Sequence, residues 1–366
     1  MQNHTENAPH AGARALLAFA MLLLTACSSS SAPPAASAAQ TGMNGVKAHV
    51  VGRSAALSRA AAALRTAAQA YLELGRTTNF DYAALAEKSN KDVLKRILEA
   101  REAWRNASTA YAQMEGIVAG VPALADFDLI LDTGTSEEEG DESVVPFDLK
   151  LPDGRTLPKP GNLFGVLEGT LWGTVAKYHG TGNVKLDLDG DGAVGFGDVL
   201  PDANVLVGAA DALVDYVGQL ERAAGEWQPT DKDAYLALTI MLPSIGDYFT
   251  AWKESRFVAG DDSAHTDYVA ISRVTDLDAV MMSLKILFAG VEPQLNQIDA
   301  QSAGKLNTEL NALADVVSQT AKAEADGKHF TPAEASALAD RAMRSGEQMA
   351  DIVTTLAQKT GIKLDE

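Results

Sequence analysis

Apolar residues recur every three or four positions in one segment after another from about Ser54 to Lys359, while almost nothing alternates. Such a chain can bury its apolar stripes only by packing helix on helix. Leu57, Leu64, Ala68, Tyr71 and Leu72 make the first stripe, and Gly75 is a natural stop. A short helix is expected over Tyr82–Lys88 and a longer one over Asp92–Glu115, whose stripe contains Arg101 as its one charged member. The pattern resumes over Leu163–Tyr178, then over Val205–Ala224, Lys232–Arg256, Asp267–Asn296, Ser302–Asp326 and Pro332–Lys359. Thr331, Pro332 and Glu334 give the last helix a cap, a proline at its first position and an acidic first turn. Pro243 should kink or split the helix that contains it. The only β-compatible stretch lies near Phe147–Leu151. The fold class is all-α, with antiparallel helical bundles.

Between Ala119 and Pro160 the period fails, in a stretch with five prolines and the acidic run Glu137, Glu138, Glu139, Asp141 and Glu142. So long an irregular connection inside a compact domain is commonly functional or mobile.

At the other end, Arg14 precedes a short apolar run from Ala15 to Ala26, too short to span a bilayer and suited to a signal peptide. The run closes in Leu24-Thr25-Ala26-Cys27, which resembles a bacterial lipobox. Cys27 would be lipidated and become the first mature residue, and Ser28 after it favours the outer membrane by analogy with Gram-negative lipoproteins. The expected organisation is a signal peptide over 1–26, a flexible tether over 27–49 and a helical domain over 50–360.

Charge narrows the partners. The chain has 30 Lys and Arg against 49 Asp and Glu, a formal net charge of −19, which repels nucleic-acid backbones and attracts metal cations or basic partners. A single cysteine excludes a disulfide framework and a four-cysteine zinc site.

The sharpest local motif runs from Asp187 to Asp198. Asp187, Asp189 and Asp191 fill positions 1, 3 and 5 of a calcium loop, Gly192 gives the sharp turn at 6, Ala193 offers its carbonyl at 7, and Asp198 stands at 12 in place of the commoner glutamate. Val194 at position 8 is expected to pin the loop to its neighbour. The loop resembles those of dockerin modules but occurs once, so a structural calcium staple between helices is expected.

Three further segments, in order, carry a wider resemblance: Ala100-Arg101-Glu102-Ala103-Trp104 through Glu115 to Ala119, Leu163 to Gly173, and Tyr248 to Lys253 with Ser263 to Asp267 after it. Together they resemble the imelysin-like family, in particular its EfeM/EfeO-type periplasmic and lipoprotein members. The resemblance implies two four-helix-bundle-like halves with a metal site near their junction. The family signature is GxHxxE, in which His and Glu share one helix face and one cation. Here Leu163 and Gly165 stand at the Gly and His positions and only Glu168 is kept. The implied ligand set is Glu115, Glu168 and one acid among Asp126, Asp128 and Asp132, taken here as Asp132, holding iron or zinc.

The plainer alternative makes Glu168 a helix-surface acid and Trp104, Trp172 and Trp252 packing aromatics. His265 could replace the missing ligand or cap the helix that follows it. The resulting functional expectation is a lipid-anchored, metal-binding lipoprotein that works with other iron-uptake components and is not an enzyme. A metallopeptidase is disfavoured by the lost histidine and by the absence of HExxH and GxSxG motifs. A calcium-stabilised structural or glycan-binding module is the third reading.

Overall fold

The computed structural model describes residues 38–364, apart from positions 141 and 264. The signal segment, Cys27 and the first part of the expected tether lie outside the described residues. The described part of that tether is helical: α1 runs Ala38–Thr77, and Met43, Val46 and Val50 are buried at helical spacing. The expected boundary at 49 was too late because small residues conceal this first stripe. Gly42 faces Gly290 so closely that a Cβ on Gly42 would lie 2.3 Å from the Gly290 carbonyl oxygen.

The helices expected over 82–88 and 92–115 are two parts of α2 (Tyr82–Val118), joined across non-helical Ser89. Asp81 caps α2 by accepting the Ala84 N–H. The irregular stretch that follows holds α3 (Ala125–Asp128), a π-helical turn over Leu129–Thr133, and a small antiparallel hairpin of β1 (Leu149–Lys150) and β2 (Thr156–Leu157). α4 (Leu163–Leu171) is shorter than expected, because Gly173 (φ 60°) turns the chain after Trp172 and only one 3-10 turn, Ala176–Tyr178, follows.

After the aspartate loop come α5 (Ala203–Glu226), α6 (Asp231–Glu254) and the single turn α7 (Arg256–Ala259). α6 passes through Pro243 without splitting. On that side Gly346 of α9 (Pro332–Thr360) packs directly on the Leu242 carbonyl and Pro243. The intervening α8 (Arg273–Ala325) starts six residues later than expected and joins both predicted helices across Asp299. Asp299 caps the second arm through the Ser302 N–H and receives Lys359 of α9.

α1, α2 and α5 pack side by side, with the first arm of α8 against α1 and α2. Gly116 of α2 brings Ser283 and Leu284 of α8 into close contact. The second arm of α8 forms a hairpin with α9, and α6 lies along both. Among the described residues no helix is long and apolar enough to cross a membrane.

Candidate functional site

Where these helices meet, the irregular stretch after α2 delivers acids into the interior. Glu115 ends α2 and is only 1% exposed. Gly120 lets the chain turn against Ala237 of α6, and α3 with its π-helical turn presents Asp128 and Asp132. Such π turns recur at functional sites because they re-aim side chains. α6 adds Tyr248, and the first turn of α8 adds Arg273 and Asp276.

Arg273, 7% exposed, is the centre of this group. Its Nη2 lies 3.8 Å from Glu115 Oε1 and 3.5 Å from Asp132 Oδ2, and its Nη1 lies 3.8 Å from Asp276 Oδ2. The guanidinium also lies 4.2 Å from the ring centre of Tyr248 and 4.7 Å from that of Tyr268. The Tyr248 hydroxyl donates to Glu115, while Tyr111 and Thr133 donate to Asp128 at 2.5 and 2.9 Å. Burial, reinforced by neighbouring Asp132, pushes the Glu115 carboxyl up, against the pull of Arg273. Burial likewise raises Asp128 to about 6 and Asp276 to about 7. On Arg273 burial opposes the charge, but the surrounding tyrosines and acids outweigh it and hold the guanidinium protonated.

Glu168 has a different task. Its Oε1 accepts the N–H groups of Val269 and Ala270 at 2.9 and 2.8 Å, and its Oε2 accepts that of Tyr268 at 2.9 Å. Burial pushes this carboxyl up to about 8, while the three backbone donors act the other way by favouring the anion. Glu168 thus ties the loop before α8 to α4. Gly165 stands one turn earlier, where Asn162 caps α4 by accepting its N–H at 2.7 Å. A cavity of about 30 Å³, room for about one water, separates Gly165 and Glu168 from Asp132, Arg273 and Asp276.

The expected ligands are therefore not assembled as a metal shell. Glu115 and Asp132 share a cation that is a side chain, and Glu168 faces the backbone N–H groups of 268–270 on the loop before α8. A resident transition metal needs several donors converging at about 2.0–2.2 Å. Among the described residues, the one group of three acid, histidine or cysteine ligand atoms within 4.8 Å of one another is Asp187, Asp189 and Asp191. The residues at the junction do not fit a resident iron or zinc ion.

Next to the buried group opens a cleft of about 420 Å³, lined by Asp132, Glu139, Asp267, His265, Tyr178 and Tyr268 among others, with no lysine or arginine among its described lining residues. His265 is held between Glu254 at 3.2 Å and Asp267 at 3.3 Å. His179 bonds the Gly173 carbonyl and Asn183 instead of serving the cleft. Trp104 and Trp172 pack edge to face, and so do Trp252 and Phe330, as expected of core aromatics.

The aspartate loop is held closed by its own carboxylates. Asp187 accepts the Gly190 and Gly192 N–H groups, Asp189 accepts Asp191, and Asp191 accepts Ala193. Asp198 is buried and accepts Leu188 and Gly195. Val194 does not pin the loop, being 56% exposed; Leu188 is the buried apolar residue instead. The main fastening is Arg101. Its guanidinium donates to the carbonyls of Leu171 (3.1 and 2.9 Å), Leu188 (3.3 Å) and Gly197 (2.5 Å). Burial lowers its pKa to about 10, which leaves it charged at neutral pH.

Sequence reasoning missed Arg273, Asp276, Tyr248 and Tyr268 as members of the junction. The available signal was a charge at the head of an otherwise apolar run, the same signal that Arg101 gave inside its stripe.

No curated protein matches the chain. The model of the imelysin family, peptidase family M75, matches residues 45–353. That span begins inside α1, ends inside α9 and takes in the acidic junction, the cleft and the aspartate loop, so the chain belongs to the imelysin family.

Proposed function

We propose that the mature chain is a lipid-anchored envelope protein, at the outer membrane, that binds a cationic cargo as an accessory to iron uptake and does not hydrolyse peptides. The observation that carries this reading is the cleft: Asp132, Glu139 and Asp267 line it with two tyrosines, no lysine or arginine is among its described lining residues, and Arg273 reaches Asp132 from the buried side. On a chain of net charge −19 such a cleft concentrates cations. Carboxylate and phenol oxygens suit hard cations such as ferric iron better than soft ones. Hydrolysis would require about three protein ligands and an open coordination position, and Glu115, Asp132 and Glu168 do not form a group of ligand atoms within 4.8 Å of one another.

The lipobox supports anchoring at Cys27, and the spacing of Asp187, Asp189, Asp191 and Asp198, with the Ala193 carbonyl, supports a structural calcium ion in loop 187–198. Iron titration of the calcium-saturated mature chain tests the cargo. Binding should weaken at least tenfold in Asp267→Asn with Glu139→Gln. A chelator-sensitive peptidase activity, or iron binding indifferent to that pair, would overturn the reading. Cys27→Ser should yield an unacylated precursor that leaves the membrane fraction.

A further inference from the structure

We propose that Arg273 is the resident cation of the junction: its guanidinium takes the place between Glu115 and Asp132 that the family's metal ion would hold, so that this chain keeps the site's electrostatics without the ion. The inference rests on family membership and not on the cargo reading of the cleft.

Position is the first argument. Of the three acids that the family resemblance implies as ligands, two face one Arg273 nitrogen at 3.8 and 3.5 Å. The third, Glu168, lines the same small cavity as Arg273 but is turned to the backbone N–H groups of Tyr268, Val269 and Ala270.

Charge is the second. Whatever negative charge Glu115, Asp132 and Asp276 keep on leaving water is stabilised by a neighbouring cation, and Arg273 reaches all three.

Shape is the third. Tyr248 and Tyr268 both present ring faces to the guanidinium at 4.2 and 4.7 Å. A flat, weakly hydrated cation exploits such faces, whereas a small divalent ion needs lone-pair donors that two ring faces do not offer.

Gly165 completes the exchange. A Cβ on Gly165 would meet the Asn162 side chain, 3.1 Å from its Oδ1, at the edge of the cavity of about 30 Å³ that Gly165, Asn162 and Arg273 all line. A histidine there would donate to a metal, but beside a fixed arginine it has none to bind. Any divalent ion touching the same carboxylate oxygens, at about 2.0–2.2 Å, would lie within about 6 Å of the guanidinium, where like charges repel.

Zinc and ferrous-iron titrations of the calcium-saturated mature chain, with metal counted per chain, test this. In the parent, no bound equivalent should depend on Glu115, so Glu115→Gln leaves stoichiometry and affinity unchanged. Gly165→His alone should gain nothing. Gly165→His with Arg273→Met, which keeps the apolar stem and removes the charge, should gain one zinc equivalent at least tenfold tighter than the parent, and Glu115→Gln should remove it. A zinc or iron equivalent in the parent that Glu115→Gln abolishes would overturn the proposal. So would a double variant with native circular dichroism that gains no metal. If the double variant fails to fold, the comparison of parent with Glu115→Gln decides alone. Metal that Asp267→Asn removes and Glu115→Gln spares belongs to the cleft and agrees with Arg273 filling the buried site; failure to see it would count against the cargo reading only.

Discussion

Replacing Arg101 by methionine tests whether a buried guanidinium is what fastens the aspartate loop. The variant keeps an unbranched apolar stem against Trp172 but removes four hydrogen bonds to three carbonyls. Hydrogen bonds from a charged donor contribute about 1.5–3 kcal/mol each, and their sum is reduced where water can return to the freed acceptors. The Gly197 and Leu188 carbonyls belong to a loop with exposed neighbours and can be rewetted, whereas the Leu171 carbonyl at the end of α4 is deeply placed. A net loss of about 3 kcal/mol follows. With roughly 330 folded residues, the unfolding entropy is about 0.7 kcal/mol/K, so Tm should fall by about 4 °C. Calcium affinity should fall as well, because the ion must then order a loop that Arg101 otherwise holds. Each ~1.4 kcal/mol of such ordering moves the calcium midpoint tenfold. Arg101→Lys should fall between the two, since one ammonium cannot reach three carbonyls at once. Differential scanning calorimetry with a calcium titration reads both quantities. A methionine variant within 1 °C of the parent, with the same calcium midpoint, would refute the fastening role.

Calcium itself should raise Tm, since a ligand held only by the folded chain stabilises it by about 2.7 kcal/mol at a hundredfold excess over Kd; Asp187→Ala with Asp191→Ala should abolish the increment, and an unchanged response would make the loop an ordinary acidic turn. In chelator, stability should decline as pH rises through 6 and 7. Burial raises Asp128 to about 6 and Asp276 to about 7, so between the usual carboxylate range and those values the folded chain binds more protons than the unfolded one. Asp276→Asn should flatten that slope, and a Tm that climbs from pH 5 to pH 8 would contradict it. Gly346→Ala should lower Tm by about 1.5 °C despite better helix propensity: the added methyl would sit 2.1 Å from the Leu242 carbonyl oxygen, strain of about 2 kcal/mol against a gain of about 1. An equal or higher Tm would show that α6 and α9 can part more easily than their contact implies.

The helices were legible because an apolar period survives any detail of packing, as the agreement over α5 and α9 shows. Their joints were less so. Ser89 and Asp299 carry non-helical backbone within continuous elements, and neither residue type announces that. Met43, Val46 and Val50 make the buried stripe of a helix inside a segment whose Ser, Ala and Gly content suggested a tether. At the junction, Glu115, Asp132 and Glu168 were found as positions, but their partners were not. Glu168 is engaged by backbone N–H groups about a hundred residues along the chain, and a main-chain donor leaves no mark on composition. Arg273 falls inside the helix expected from Asp267 and is not singled out there; the convergence of α2, α6 and the π-helical turn upon it is what gives it meaning.

α8 has a consequence for how the molecule comes apart. It lends one arm to the layer of α1 and α2 and the other to the hairpin with α9, and α6 bonds to each arm, through Tyr235 to Gln294 and through Trp252 to Glu324. Neither half therefore possesses a complete core of its own: stripping one away uncovers apolar stripes on the helix it shares with the other. Opening should propagate along α8 until it meets Asp299, where the helical hydrogen-bond ladder is already interrupted and the Lys359 contact is what closes the joint. Slowly exchanging amides on both arms should then share one cooperative opening, with any independent local opening confined to the residues around that joint.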